Sequence, residues 1–543
     1  VFNEVPVIIM MTIVDNPLIS YQVELPSNRK FDTLYIWSLS RKGIRSFVRS
    51  FNQEKFIEND TAVLNRVTAD LDVLNIPRTP LNCLTMLKIY EVDFDESPVN
   101  RTEVIRRVLF LLFNVDNIPT YQTKPDVQDV EYILGYFCEN LFRNNNYIFT
   151  KQDFLSCINK FCAANQIEIE TVLILRVLLQ NNIIVSFGGS YTFKFSYWVF
   201  YFAAHRMHHD IDFANYMLED HKYVSYPEVM EFYTGIDRRR IDALRLLDKD
   251  LGEIIDVVDN KCSLEFDFKF YDIAKWDPSE EVVEQLHDEL SEGVLNSNLP
   301  EEVKDRYADK YYDSNKPLRQ DINGILEEYS LLKLMKGLQS GARALRNSDY
   351  APPQLKADLL DRILSGWERV MKVLVVLSPV LAKERYATFS GASFHLVDEL
   401  DGSMNEQVMK LWQMLPDNIV NWYKDDLFTN KMGPLLSSYM KRADNSFSKH
   451  TLNLLLIKKR PNNWHTKIEE YINSEHKNSF YLLDLYKCLR YEYKYGFMSQ
   501  KNLTTMAQLL KRCMAKHSLG VKKPNQKTLK KIKDDNLPTR ETD

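Results

Sequence analysis

The sequence predicts a mainly α chain that opens on the end of an α/β sheet and carries one module of three helices and a hairpin. Three observations predict it. Pro6–Val14 is a continuous apolar run closed by Asp15-Asn16-Pro17, which suits a strand buried on both faces of a parallel sheet. From residue 40 onward, apolar stripes at helical spacing are punctuated by cap residues and prolines. Near residue 188, two β-prone runs flank Gly188-Gly189-Ser190 and read as a hairpin. Glycine is scarce, 16 of 543 residues, which argues against an all-β fold built on tight turns.

The elements follow in order. Phe31–Trp37 reads as a second strand, and Ser40 caps a helix from Arg41 to about Asn52. Thr61–Leu74 carries the stripe Leu64, Val67, Leu71 and Leu74, and Pro77 and Pro80 stop it. Leu81–Tyr90 is apolar enough for a helix. Asn100 with Glu103 forms a capping box for a helix through Phe113. Asp126–Phe142 is amphipathic, with Val130, Ile133, Leu134, Phe137 and Leu141 inward. Thr150 caps a helix bearing Phe154, Leu155, Ile158 and Phe161, and Ile169–Gln180 is a third, almost wholly apolar. Ile183–Phe187 and Tyr191–Phe195 complete a winged helix, and Tyr197–Met207 starts a further helix. Beyond about residue 213 only helices are suggested, among them Leu355–Leu377, Asn405–Leu415 and Phe480–Tyr491, with a good helix start at Asp277-Pro278-Ser279-Glu280. No fixed-period repeat emerges, so this part is an irregular array. Val521–Asp543 is lysine-rich, poor in apolar residues and expected to be disordered.

A net charge of −6 gives no global pull toward nucleic acid or anionic membrane. The seven cysteines form no CxxC pair, and most sit among apolar neighbours, as buried thiols of a reducing compartment do. The longest apolar run, Val5–Val14, is about half of what a membrane span needs. No basic region precedes it, so it is a poor signal peptide and the expected location is cytoplasmic.

No G-x-x-x-x-G-K-[ST], G-x-S-x-G, H-E-x-x-H or G-x-G-x-x-G occurs. Ile13-Val14-Asp15 has the look of a strand ending in a metal-binding aspartate but lacks a second acid close behind, so Asp15 reads as a strand-end residue. His205 and His209 stand i, i+4 and, with Asp210 and Asp212, have the residue types of a zinc site. They also fall at a predicted helix C-terminus, where imidazolium suits the dipole, and the reading adopted is no metal. The third helix of the winged helix offers one arginine, Arg176, with Glu168 and Glu170 beside it. That cannot supply the phosphate contacts of a duplex reader. The tail lysines Lys522, Lys523, Lys527, Lys530, Lys531 and Lys533 read as a solubilising end.

The order of these pieces resembles the back half of a STAND-type signalling ATPase, the class that includes NACHT proteins. Val7–Asp15 looks like the sensor strand, Leu39–Arg45 like the lead-in to the first helix, and Thr79-Pro80-Leu81 like the proline motif that packs on adenine. Glu231–Ile236 looks like the region after the winged helix, and the likeness spans residues 5–255. Where the family places a histidine that senses the diphosphate, this sequence has Phe195 or Ser196, with Lys194 beside them. The resemblance implies a bacterial STAND/NACHT-type C-terminal part lacking the P-loop portion. Its fold would be mainly α: a remnant of an α/β NTPase sheet over 1–38, a helical domain over 39–118, a winged helix over 119–212, an irregular α-helical sensor array over 213–520 and the tail over 521–543.

It implies ATP/ADP as cofactor, bound with Pro80 on the base and Lys194 and Arg45 at phosphates or interdomain contacts. This chain would not be catalytic alone, whereas its parent would be an ATPase. The implied mechanism is a nucleotide-gated switch in antiphage defence or stress signalling. A protein or phage-derived trigger would open it and protomers would oligomerise, with no membrane partner and nucleic acid disfavoured. The alternatives are a non-catalytic helical scaffold and, less favoured, a winged-helix DNA-binding regulator.

Overall fold

Ser40 begins the described fold by supplying what a helix start lacks, an acceptor for its first free N–H groups. Its Oγ accepts from the Gly43 N–H at 3.2 Å and opens α1, Arg41–Glu54. The computed structural model describes residues 39–73, 78–92, 100–113, 126–180, 183–262, 275–276, 331–384, 386–389, 392–395, 402–443, 445–496, 498–532 and 537–540. The strands read at Pro6–Val14 and Phe31–Trp37, with Asp15, Leu74, Pro77 and the helix start at Asp277, lie outside the described residues. Those described are mainly α, and the chain divides into two compact units, Val1–Arg240 and Ile241–Asp543.

In the first unit, α1 packs with α2 (Asp60–Val73), α3 (Pro80–Val92) and, through α3, α4 (Arg101–Phe113). Ile44 and Val48 of α1 are fully buried against Val63, Val67 and Leu71 of α2 and Cys83, Met86 and Leu87 of α3. Each such aliphatic side chain contributes about 1.5–3 kcal/mol by leaving water.

The next block begins at α5 (Val127–Asn144). Asp126 and Asp129 form a reciprocal capping box at its start, and Asn145, in the left-handed region at φ 47°, ends it. Thr150 and Asp153 repeat the capping box at α6 (Lys151–Ala164). Helix α7 (Thr171–Gln180) buries Leu173, Ile174, Leu175, Val177 and Leu178, so its apolar sequence is spent inside the unit. Strands β1 (Ile184–Phe187) and β2 (Ser190–Phe193) pair antiparallel, with Ile184 opposite Phe193 and Phe187 opposite Ser190. Gly188 and Gly189, at φ 54° and 85°, make the two-residue turn that needs this left-handed backbone. Thr192 ties the hairpin down by donating to the Tyr147 carbonyl at 3.1 Å.

Helix α8 (Ser196–His209) lies against α5, then come α9 (Ile211–Leu218) and α10 (Pro227–Ile236), which packs on α8 and α4. The α5–α8 approach is close because Gly135 has no side chain. A Cβ there would stand 3.2 Å from Arg206 Cβ and 3.3 Å from the Phe202 carbonyl oxygen. Glu139 clasps the same pair of helices, accepting from Arg143 Nε and Arg206 Nε at 2.8 Å each.

The second unit is a helical array, in which Ile241–Cys262 packs on Leu331–Asn347 and Pro353–Glu384. Its helices among the described residues are α11 (Ile241–Cys262), α12 (Leu331–Asn347), α13 (Pro353–Glu384), α14 (Met404–Trp412), α15 (Leu415–Leu427), α16 (Gly433–Arg442), α17 (Ser446–Lys459), α18 (Trp464–Ser474), α19 (Phe480–Tyr495), α20 (Gln500–Leu519) and the single turn α21 (Gln526–Leu529). Trp367 of α13 and Tyr423 of α15 stack at 5.6 Å in its core. One element departs from the sequence reading. Tyr386–Phe389 (β3) and Ala392–His395 (β4) pair antiparallel where only helices were suggested. Tyr-Ala-Thr-Phe and Ala-Ser-Phe-His are both β-prone runs, and they flank Ser390-Gly391. Within the tail read as disordered, α21 forms, and Leu529 and Ile532 are buried.

Gly135→Val forces a branched side chain into the α5–α8 contact. It is expected to cost about 1–3 kcal/mol, read as a lower urea midpoint; an unchanged midpoint contradicts the close approach.

Candidate functional site

A carboxylate taken out of water must be paired or neutralised. The first unit buries two within one small region. Glu131 on α5 and Glu231 on α10 are each 1% exposed. Helix α4 answers both. Arg101 Nη1 donates toward Glu231 Oε2 at 3.4 Å, and Arg106 Nε lies 3.5 Å from Glu131 Oε1. Asn100, just before α4, works in two directions. Its Oδ1 accepts from the Glu103 N–H at 2.9 Å, and its Nδ2 donates to the Gly235 carbonyl at 3.1 Å. The cap that starts α4 therefore also fastens it to the end of α10.

The floor of this joint comes from α8. Tyr201 donates its hydroxyl proton to Glu131 Oε1 at 2.5 Å. His205 Nε2 lies 3.5 Å from Glu131 Oε2, while His205 Nδ1 is buried with no hydrogen-bond partner among the described residues. Burial raises the Glu131 carboxyl above the usual range. Burial also lowers His205 to about 3, helped by His209, His208 and Arg106. The same environment thus pushes both groups toward neutrality. His208 joins α8 to α10 separately: its Nε2 donates to the Tyr233 carbonyl at 2.8 Å, and Nδ1 accepts from Arg240 at 3.2 Å.

Of the residues singled out in the sequence, His205 lies in this joint, and Lys194 is linked to it by ring contacts. Lys194 stands on the strand side, exposed just after β2, with Nζ 5.5 Å from the centre of the Phe195 ring. Phe195 stacks on Tyr197 at 5.4 Å, and the Arg101 guanidinium lies 6.0 Å over Tyr197 and 5.8 Å over Phe232. Pro80 is the exposed first residue of α3. Thr79 caps that helix, accepting from the Asn82 N–H at 3.2 Å. Arg45 is half-buried on α1. No hydrogen bond, ion pair or ring contact among the described residues joins Pro80 or Arg45 to Lys194.

In the histidine run, His205 and His209 share a face, with ring centres 4.8 Å apart, and both flank Tyr132. Asp210 is engaged elsewhere: it pairs with Arg206 and accepts from the Phe213 N–H at 2.9 Å as the N-cap of α9.

The residues that build the joint, Arg101, Arg106, Glu131, Tyr201 and Glu231, were not singled out as site residues from sequence. A signal was present. Glu131 interrupts the inward stripe of α5, and Glu231 stands inside Val229–Phe232, where a buried acid demands a partner.

Residues 147–203 match the family model described as Novel STAND NTPase 4. The matched segment runs from Tyr147, across α6, α7 and the β1–β2 hairpin, into α8. The match supports a relation to STAND-type NTPases, a class in which nucleotide binding is expected. No curated protein matches the chain. No helix among the described residues is long and apolar enough to cross a membrane.

The two arginines differ in what they hold. The Arg101 side chain is 28% exposed and that of Arg106 58% exposed. Arg101→Ala, which takes a partly buried cation away from a buried glutamate, is expected to cost about 3 kcal/mol. Arg106→Ala is expected to cost less than about 1 kcal/mol. Denaturant melts of the two variants check this, and equal losses contradict it.

His205 also gives a pH dependence. Its folded pKa is depressed, so its contribution to stability is complete above about pH 6.5 and is lost as pH falls toward 3, by at most about 1.4 kcal/mol per pH unit. Glu131, whose folded pKa is raised, takes up its proton more readily when folded and offsets part of that loss at the acid end. His205→Leu should flatten the stability profile between pH 6.5 and 4.5; an unchanged profile would show that another group titrates there.

Proposed function

We propose that this chain is the regulatory and sensing part of a STAND-type NTPase and acts as a nucleotide-gated switch, in bacterial antiphage defence or stress signalling. The observation that carries the proposal is the position of the family match. It falls on α6, α7, the hairpin and α8, read here as the winged helix of such a switch. The buried face of α7 supports the same reading over a duplex-reading regulator, because the helix that would enter a groove is used for internal packing.

In this proposal the resting state has the helical domain (α1–α4) held against the winged helix and α10 through the α4 joint. Nucleotide lies between them and a P-loop portion. Residues 1–543 contain no G-x-x-x-x-G-K-[ST], so the phosphate cradle is assigned to sequence outside them. Pro80 packs on adenine. An exposed proline at a helix start presents an apolar ring with no N–H to compete. Lys194 and Arg45 contribute phosphate or interdomain contacts. The C-terminal array binds the trigger, a protein or phage-derived molecule, and opening lets protomers oligomerise. A trigger that prefers the open form by a few kcal/mol is sufficient.

A titration with fluorescent mant-ADP tests the nucleotide role. Saturable binding is expected to the chain joined to its P-loop portion, weakened roughly tenfold by Pro80→Ala, which is about 1.4 kcal/mol, and less by Lys194→Gln or Arg45→Gln. No binding, or binding that all three changes leave intact, sinks the proposal.

A further inference from the structure

The C-terminal half of α19 presents a face unlike its other side. Leu485, Cys488, Leu489 and Glu492 are buried in the second unit. Lys487, Arg490, Tyr491, Lys494 and Tyr495 follow one another at i, i+3, i+4, i+7 and i+8, the spacing of one helix face. No acid stands on that stripe. Tyr491 is 53% and Tyr495 39% exposed, with ring centres 5.0 Å apart. The two rings together offer aromatic surface to solvent.

Cations share the stripe with the rings. Lys494 Nζ lies 4.7 Å from the centre of the Tyr495 ring and donates to its hydroxyl at 2.8 Å. Lys487 donates to the neutral Gln413 amide oxygen at 2.8 Å, and Arg490 is exposed. Arg540 reaches the same end of the helix and donates to the Tyr493 carbonyl at 2.8 Å.

We propose that this face of α19 binds single-stranded nucleic acid, with unpaired bases stacking on Tyr491 and Tyr495 and the phosphates held by Lys487, Arg490 and Lys494. Two exposed aromatic rings with cations on the same helix face suit a flexible polyanion with flat apolar bases. A duplex hides those bases. A membrane surface would need a wide apolar face, and this stripe has none. Nucleic acid is disfavoured on the net charge of −6, the third helix and the tail lysines, none of which describes the local charge of this face. The inference uses no residue of the nucleotide proposal, so either can fail alone.

The test is fluorescence anisotropy of the full chain with a labelled oligothymidylate. The expected result is saturable binding that weakens with salt along a log–log slope of about −2, as three phosphate contacts on a single strand give. Tyr491→Ala and Tyr495→Ala should each weaken binding roughly tenfold at unchanged slope. Arg490→Gln should reduce the slope by about 0.7. Tyr491→Phe keeps the ring and should retain binding, which separates lost stacking from lost fold. The proposal is overturned by no binding at low salt or by binding that both alanine variants leave intact. Equal competition by a duplex, polyglutamate or phosphatidylserine vesicles overturns it too.

Discussion

The first unit turns on a single requirement: two glutamates buried on different helices must find cations, and one helix supplies both. Glu131 belongs to α5 and Glu231 to α10, while Arg101 and Arg106 share α4. The carboxylates could not be buried there without partners, and α4 could not lie against α5 and α10 with its arginines facing hydrocarbon. A buried glutamate that meets one particular arginine restricts the docking geometry of the helix that carries it. A helix anchored this way has a defined docked position and a defined way to leave it. That is the property a gate needs. Leucines alone would tolerate many nearly equivalent packings.

The joint also sits where the helical cluster meets the block containing the family match. Lys194, Phe195 and Tyr197 lead from the hairpin toward Arg101 by ring and cation contacts. A displacement of the hairpin therefore has a short physical route to the helix that closes the unit. His205, which burial holds well below its ordinary pKa beside Glu131, adds a group whose charge state depends on staying buried.

Most helices were legible because their signals are local. Ser40, Asp126 and Thr150 each cap the helix assigned to them, and the Gly188-Gly189 turn joins the strands expected around it. The β3–β4 hairpin was missed because two four-residue runs beside a long helix carry little periodicity. The joint was missed for another reason. A helix stripe shows that Glu131 points inward, but nothing in spacing says which residue, dozens of positions away, will meet it. Family resemblance directed attention to Pro80, Arg45 and Lys194, and away from the ion pairs between helices.

Asn100 bonds to Gly235 across a separation of 135 residues. A ribosome making the chain in order finishes α4 long before α10 exists. At roughly 5–20 residues per second, the helical cluster waits on the order of ten seconds for its partner. During that interval Arg101 is solvated and the surface that will meet α10 is open. The clasp is therefore a late fastening in this unit, and a chaperone or a neighbouring nascent chain has its opportunity in that gap.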